Sequence, residues 1–274
     1  MKERCMIDPI PTTDAILTLA EQLADAAAVE TLKWFRTPAL LVDNKLESGF
    51  DPVTQADKAA EQAMRAVLAA HRPHDAIIGE EARNQTGTTG FSWVLDPIDG
   101  TRGYVSGTPT WGTLIALNDG NTPIFGLIDQ PYIGERFVGG LGHAFMERDG
   151  VKTPLVTSET QSLAKAIIYT TYPEVGSKVE ALAFHQVAQL CKLTRYGMDC
   201  YAYALLAAGH IDLVIEAGLQ AYDIQAPIAL VRAAGGVATD WGGGNPMNGG
   251  RCICAATPEL HAAALKILKH VPLD

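Results

Sequence analysis

Two acidic residues at the end of an apolar run are the feature of this chain that points most directly to chemistry. In the stretch Trp93-Val-Leu-Asp96-Pro-Ile-Asp99-Gly100-Thr101, the first three residues are typical of the end of a buried strand. Pro97 cannot donate to a sheet ladder, so we expect the strand to stop there. Asp96 and Asp99 then lie at a strand's carboxyl end, where open α/β sheets place their ligands.

Two carboxylates held this close repel each other, so one is protonated unless a cation lies between them. Hard divalent cations such as Mg²⁺ prefer ligands of this kind, which are rich in oxygen. The structural alternative is a turn in which the side chain of Asp99 bonds to the local backbone. The two residues alone leave both interpretations open.

Further acids follow apolar segments and each has its own structural alternative. Glu80 and Glu81 follow the short strand pattern 76–79, and Glu81 can equally be a solvated surface charge. Asp57 lies three residues after Thr54, which is the spacing of a helix capping box. Asp223 can be the N-cap of a helix. If all of these acids converge, they form one metal site.

The elements that must position these residues alternate along the chain. Helices are predicted after Thr12 or Thr13, after Thr54 and after Thr257-Pro258, because threonine caps helices and proline suits the first helical position. Asp199 and Asp223 can cap two more helices, which end at Gly209 and at Gly235-Gly236. A further helix is predicted over 178–193. Strands are predicted at 76–79, 93–95, 113–117, 123–128, 136–146, 166–171, 193–196, 211–215, 236–241 and 252–256.

Composition narrows the class of protein. The chain has 274 residues, of which 47% are hydrophobic and 19% charged, as in a globular protein with an ample core. Its net charge of −10 argues against nucleic acid or an anionic membrane as the main partner. The five cysteines form no C-x-x-C pair, which indicates neither a zinc site nor a disulfide framework. No apolar run reaches the length of a membrane span, and the first residues lack the apolar region of a secretory signal, so we expect a cytoplasmic protein.

The chain resembles the Mg²⁺-dependent, lithium-sensitive phosphatases of the inositol monophosphatase superfamily. The resemblance rests on residues 51–57, on Gly79-Glu80-Glu81, on residues 93–101, and on Tyr222-Asp223 followed by Gly235-Gly236. Tyr222 stands where the family usually has tryptophan. The resemblance implies a layered α/β (α+β) protein with the sugar-phosphatase fold of alternating αβαβα layers. It also implies a homodimer acting on a small phosphate ester.

The site residues implied by the resemblance divide into three groups. Glu80, Asp96 and the carbonyl of Ile98 would hold one Mg²⁺, and Asp96, Asp99 and Asp223 a second. Glu80 and Asp57 would help to hold a third. Gly100 and Thr101 would bind the phosphate, while Glu80 and the Thr101 hydroxyl would orient the attacking water. Two to three Mg²⁺ ions are implied, with Mn²⁺ as a substitute and Li⁺ and Ca²⁺ as inhibitors.

The choice of substrate depends on two further segments of the chain. The segment 196–201 and the stretch 107–116 resemble the histidinol-phosphate phosphatase branch. Asp199 and Glu216 could bind the amine and imidazole of histidinol phosphate, and Arg195 either reaches the site or is a surface charge. An inositol-phosphate or broader sugar or nucleotide phosphatase, and a non-catalytic binding protein, stay open. We expect an N-terminal half at 1–150, which carries most metal ligands, and a C-terminal half at 151–274, which carries Asp223 and the substrate contacts. Lys45 and Glu47 lie in a loop that approaches the site in relatives.

Overall fold

The computed structural model describes residues 11–44 and 52–271. Threonine caps begin three of its helices, as the sequence predicts, because each cap needs only hydrogen bonds within four residues. Thr12, Thr54 and Thr257 each accept a hydrogen bond from a backbone N–H of the helix that follows. The helices are α1 (Thr13–Trp34), α2 (Gln55–His71), α3 (Thr101–Ser106), α4 (Lys178–Ala188), α5 (Cys200–Ala207), α6 (Ala221–Ala233) and α7 (Pro258–Leu268).

The strands form two large sheets and one small ribbon. The seven-stranded sheet contains β3 (Ala76–Gly79), β4 (Ser92–Asp99), β5 (Gly112–Asn118), β6 (Pro123–Gln130), β7 (Glu135–Gly140), β8 (His143–Arg148) and β9 (Val151–Pro154) in that order. Only β3 and β4 pair in parallel within it. The five-stranded sheet has the order β11 (Leu193–Tyr196), β10 (Ile167–Thr170), β12 (Leu213–Leu219), β14 (Gly250–Ala255) and β13 (Val237–Thr239). The ribbon pairs β1 (Val42–Asn44) with β2 (Pro52–Thr54).

These elements stack in five alternating layers, as the resemblance implies. Helices α1 and α2 cover one face of the seven-stranded sheet, where Trp93 and Leu95 of β4 point. Helices α5 and α6 fill the space between the two sheets, against Val94 on the opposite face of β4. Helices α4 and α7 cover the outer face of the five-stranded sheet. The order αβαβα is therefore confirmed.

Helix α6 packs unusually close to the seven-stranded sheet. A Cβ on Gly126 of β6 would lie 2.3 Å from the carbonyl oxygen of Ala226, and a Cβ on Gly139 of β7 would lie 2.5 Å from the Cα of Leu230. Only glycine allows the helix backbone to approach these two strands so closely. The later half of the chain is thus packed directly on the earlier half, and β9, which begins at Val151, still pairs with β8. The division at residue 150 stays a prediction.

Several predicted elements differ from the structure. The single strand predicted at 136–146 is two strands, because the backbone turns through Leu141 and Gly142, which both have positive φ. The helix predicted to extend to residue 193 ends at Ala188. The sequence predicts irregular structure over about 36–51, but strand β1 lies in this region, of which residues 45–51 are outside the described ones.

The spacing of Cys252 and Cys254 predicts that both point to one face of a strand, and both lie on one face of β14. Both are buried, and their sulfur atoms are 3.8 Å apart. The described cysteines are free thiols. No helix within the described ranges is long and apolar enough to cross a membrane.

Candidate active site

The strand that carries the two central acids does not stop at Pro97. Strand β4 continues to Asp99, and the expectation of an earlier end is wrong. Asp96 pairs with Leu114 and Asp99 with Gly112, so two residues of β4 face the single residue Thr113 of β5. This bulge accommodates proline because the extra residue makes no ladder bond.

Side chains hold the bulge in place from both strands. The Thr113 hydroxyl donates to the carbonyl of Pro97 at 2.8 Å. The N–H of Ile98 donates to Oδ1 of Asp96 at 3.1 Å. The hydrogen bond between a side chain and the local backbone, which the sequence suggested for Asp99, is thus made by Asp96 instead. Both acids are anchored by a sheet rather than by a loop.

Asp223 approaches from the opposite layer. It lies at the third position of α6, whereas the N-cap is Gln220, so the expectation that Asp223 is the N-cap residue is wrong, although its carboxylate is part of a capping box. Its Oδ2 accepts from the backbone N–H of Gln220 at 2.7 Å, which still satisfies one unpaired donor at the start of the helix. The first turn of α6 therefore places this carboxylate against the end of β4.

Asp96, Asp99 and Asp223 form a compact carboxylate cluster. One carboxylate oxygen from each lies within 4.8 Å of the others. Burial raises the pKa of Asp96, and the negative charges of Glu80, Asp99 and Asp223 raise it further. Burial also raises the pKa of Asp99, to which Asp199 and Asp223 add repulsion. Ionised carboxylates can share this space only with positive charge between them.

Glu80 and Asp57 border this cluster. Glu80 follows β3 and lies close enough to Asp96 to raise the pKa of that acid. Asp57 makes the capping box considered from the sequence, since its Oδ2 accepts from the N–H of Thr54 at 2.8 Å. Its other oxygen faces the hydroxyl of Thr101 at 3.5 Å. Burial raises the pKa of Asp57 to about 6, so the cap is also part of the acidic site.

Gly100 and Thr101 connect β4 to α3. Gly100 has a φ of 85°, a conformation that glycine adopts without strain. A Cβ there would lie 3.0 Å from the carboxylate carbon of Asp199. The Thr101 hydroxyl donates to the carbonyl of Ile98 at 3.1 Å. Phosphate binding at these residues stays a prediction.

Asp199 lies at the start of α5 but its carboxylate does not cap the helix. The side chain makes no capping hydrogen bond, and the backbone has a φ of 47°, which is unusual for a residue with a side chain. Burial raises the pKa of this carboxyl to about 6, although the nearby Arg102 lowers it. Asp199 is thus the N-cap residue of α5 by position, as predicted, but the alternative in which its carboxylate serves as the helix cap is wrong. Such strained residues cluster at functional sites.

Glu216 of β12 is buried and lines the same cleft as Asp199. It accepts hydrogen bonds from Thr170 at 3.1 Å and from the N–H of Thr171 at 2.7 Å. Burial raises its pKa to about 7, against these hydrogen bonds. The cleft has a volume of about 360 Å³ and brings together Glu80, Asp99, Gly100, Thr101, Asp199, Glu216 and Asp223.

The cleft also contains residues that sequence reasoning missed. Arg102 supplies a positive charge, and its guanidinium carbon lies 5.1 Å from the ring centre of Tyr172. No local pattern marks Tyr172, because it reaches the cleft from the loop after β10. Arg102 directly follows Gly100 and Thr101, and its position next to these two residues could have identified it as part of the site.

Two sequence candidates lie elsewhere. Arg195 is exposed on the edge strand β11 and is not among the residues that line the cleft. Lys45 and Glu47 lie outside the described residues.

The donor set fits a hard divalent cation. The three clustered ligands are carboxylates, and no sulfur or nitrogen donor is grouped with them in the part of the chain that the structure describes. The raised pKa values of Asp96 and Asp99 follow from burial together with uncompensated negative charge. A bound cation would remove that repulsion, as expected for a metal centre with oxygen ligands.

Comparison with known proteins agrees with this architecture. A model described as the inositol monophosphatase family matches residues 13–273. Because the match spans nearly the whole chain, the chain belongs to the inositol monophosphatase family, a family of generally metal-dependent phosphatases.

Individual relatives within this family carry different names. The chloroplastic bifunctional phosphatase IMPL2 of Arabidopsis thaliana is 41% identical over 232 residues, which are 84% of this chain and 65% of that protein. A histidinol-phosphatase of Streptomyces coelicolor is 36% identical over 230 residues, which are 81% of this chain and 85% of that protein. The solved structure of an inositol monophosphatase from Zymomonas mobilis has a TM-score of 0.82 and 38% identity, and covers 95% of this chain and all of its own. The match thus spans slightly less than two thirds of the plant protein.

Proposed function

We propose that this chain is a Mg²⁺-dependent phosphomonoester hydrolase whose substrate is histidinol phosphate, which it converts to histidinol and phosphate. The observation that carries the choice of substrate is the carboxylate of Asp199. Its strained backbone directs an acid into the cleft beside Gly100 instead of toward the helix cap. Together with Glu216, it gives the cleft two acids for a substrate that carries an amine and an imidazole.

The metal ligands of this proposal are the clustered acids. Glu80, Asp96 and the Ile98 carbonyl would hold one Mg²⁺, and Asp96, Asp99 and Asp223 a second. Glu80 and Asp57 would help to hold a third. When bound, such cations lower the pKa of water and neutralise charge that develops on phosphate oxygens. Mn²⁺ as a substitute, and Li⁺ and Ca²⁺ as inhibitors, belong to the same proposal.

The chain's own groups handle the proton of the attacking water. The Thr101 hydroxyl donates a hydrogen bond to the Ile98 carbonyl at 3.1 Å, which leaves its oxygen lone pairs able to accept from a water. Glu80, which lines the same cleft, would take the proton as the water oxygen bonds to phosphorus and the ester P–O bond breaks. The departing oxygen would take up a proton from solvent water, so that the products are the free alcohol and phosphate. Backbone N–H groups of Gly100 and Thr101 would hold the phosphate in line with that water. No covalent phosphoenzyme is needed.

A panel of phosphate esters tests the substrate. With Mg²⁺ present, we expect phosphate release from histidinol phosphate to exceed release from inositol 1-phosphate by at least about tenfold in kcat/KM, because one lost hydrogen bond to a charged group costs about 1.5–3 kcal/mol. Equal rates would instead favour a broad phosphatase. No release from any ester would favour a non-catalytic binding protein.

The variant Asp199→Asn separates recognition from chemistry. It removes the charge and keeps the shape, so kcat/KM should fall for histidinol phosphate and stay nearly constant for inositol 1-phosphate. Asp119→Asn, in the exposed turn between β5 and β6, is the matched control and should change neither rate. An equal loss on both esters would contradict amine recognition by Asp199.

Inositol 1-phosphate is the second candidate substrate. Its support is the Zymomonas mobilis inositol monophosphatase, which shares 38% identity over nearly the whole chain. A homodimer in solution remains a prediction from the family resemblance.

A further inference from the structure

Glu61 lies beneath the turn that carries Glu80 and has no part in the chemistry described above. It is 1% exposed and lies one helical turn after Asp57 on α2. Its Oε2 accepts from the backbone N–H of Glu81 at 2.7 Å, and its Oε1 accepts from the N–H of Ala82 at 3.1 Å. A buried carboxylate that binds two neighbouring N–H groups fixes both of them strongly, because each bond is assisted by the charge.

The surroundings of Glu61 are arranged to hold this contact. The Nε of Arg65 donates to Glu61 Oε1 at 2.7 Å, and Nη2 of the same arginine donates to the Ala82 carbonyl at 3.3 Å. A Cβ on Gly79 would lie 2.3 Å from Glu61 Oε1. Glycine at the end of β3 therefore leaves the space that the carboxylate occupies. Helix α2 and the turn are joined by several contacts rather than by one.

The other side of the turn is fixed by β4. The N–H of Glu80 donates to the carbonyl of Leu95 at 3.2 Å, directly before Asp96. Three successive backbone N–H groups in this turn are therefore hydrogen-bonded. That of Glu80 binds to β4, and the next two, of Glu81 and Ala82, bind to the carboxylate of Glu61. Little backbone freedom is left at Glu80.

We propose that Glu61 is a positioning residue that fixes the Glu80 carboxylate opposite Asp96. This role rests on the proposed function, in which Glu80 is a metal ligand. Contacts that orient a metal ligand typically change metal affinity by about 10–100-fold when they are removed. Glu61 would act entirely through the backbone of residues 80–82, without touching metal or substrate.

The variant Glu61→Gln tests this proposal. Glutamine has the same length but only one acceptor oxygen, so its amide N–H₂ must face either a backbone donor or Arg65. We expect Mg²⁺ affinity, measured by isothermal titration calorimetry without substrate, to weaken by about 10–100-fold. At saturating Mg²⁺ the KM for the ester should change little, because no substrate contact is removed.

A control separates positioning from general stability. Asp75 is buried beside the start of β3, at the opposite end from Glu80, and accepts hydrogen bonds from Arg72, Thr89 and Trp93. Asp75→Asn should lower the melting temperature while Mg²⁺ affinity stays at the wild-type value. If Glu61→Gln also keeps wild-type affinity after a similar loss of stability, Glu61 is merely structural and the proposal is overturned.

A double-mutant cycle with Glu80→Gln tests the route of the effect. If Glu61 acts through Glu80, Glu61→Gln should weaken Mg²⁺ binding far less when Glu80 is already replaced. Additive losses would overturn the proposal. If wild-type protein bound no Mg²⁺, the metal assignment itself would fail and the role of Glu61 with it, which is a distinct result.

The variant Arg65→Gln is available should Glu61→Gln not fold. It retains both backbone hydrogen bonds of Glu61 and removes only the guanidinium that orients them. We expect a smaller loss of Mg²⁺ affinity in the same direction. Unchanged affinity in this variant would overturn the positioning role of the pair.

Discussion

Replacement of Gly100 by alanine should disturb catalysis through Asp199. Gly100 has a φ of 85°, and an added Cβ would lie 3.0 Å from both Cγ and Oδ2 of Asp199. A methyl group cannot stay so near a carboxylate without displacing it, and Asp199 is held by a backbone that is itself strained. The same change alters the proposed phosphate site, where the first N–H groups of α3 lie.

The expected magnitudes follow from these two effects. Positive φ costs a residue with a side chain about 1–2 kcal/mol. In a chain of this size, that lowers the melting temperature by about 2–8 °C. Displacement of a substrate-binding group by 1 Å can cost about a hundredfold in rate, so a shift of a few tenths of an ångström should cost about tenfold in kcat/KM.

Gly142→Ala provides the matched control. Gly142 has a φ of 86° in the turn between β7 and β8, and no atom lies within 4 Å of an added Cβ. It should show the same loss of melting temperature with full phosphate release. If both variants retain wild-type kcat/KM for histidinol phosphate, the close approach of Asp199 to the reacting site would be refuted.

Three further results are expected. The variant Asp99→Asn should fold, because its amide oxygen can still accept from the N–H of Cys200. Its kcat should fall by at least about a hundredfold, because the cluster loses a charged metal ligand. Near-native turnover would rule out the ligand assignment. Treatment with a chelator should abolish phosphate release, and added Mg²⁺ should restore it and raise the melting temperature; activity that survives full chelation would contradict metal dependence. Burial raises the pKa of Glu216 from 4.5 to about 7, so the folded state binds more protons than the unfolded state and stability falls as pH rises through this interval. With a chelator present, the melting temperature of the Glu216→Gln variant should therefore decline less than that of wild type between about pH 5 and pH 8. If the melting temperatures of the two proteins change with pH in parallel, Glu216 is not the titrating group.

Features that depend on neighbours in sequence were predictable. The caps at Thr12, Thr54 and Thr257 need only hydrogen bonds to the next few residues. The sequence Asn118-Asp-Gly-Asn predicts a hairpin turn, and this turn needs only its own polar residues, since the backbone N–H groups of Asn121 and Thr122 donate to Asp119. The layered fold followed from family resemblance rather than from any single pattern.

Features set by distant contacts were not predictable in the same way. The effect of Pro97 depends on Thr113, which stabilises the bulge from the neighbouring strand. Asp223 lies within its helix because Gln220, a weak candidate for a cap, begins that helix. Glu61 lies on the buried stripe of α2, three residues before Met64, but its charge gives no sign of a partner, and only the folded turn around Ala82 reveals what it binds. The clustering of Asp96, Asp99 and Asp223 could be expected once the family was recognised, but their geometry depends on packing between layers.

The close seating of α6 on Gly126 and Gly139 has a consequence for how the molecule assembles. Asp223 is more than a hundred residues from Asp99 in sequence, and it reaches the acidic cluster only when that helix is docked on the sheet. A cation that needs all of these oxygens would therefore bind the fully folded protein and not partly folded states. Its binding would also favour the assembled state over every open one. The amount of ion bound in a titration would therefore report the fraction of fully folded protein. The same site would thus serve as a probe of folding as well as the site of the reaction.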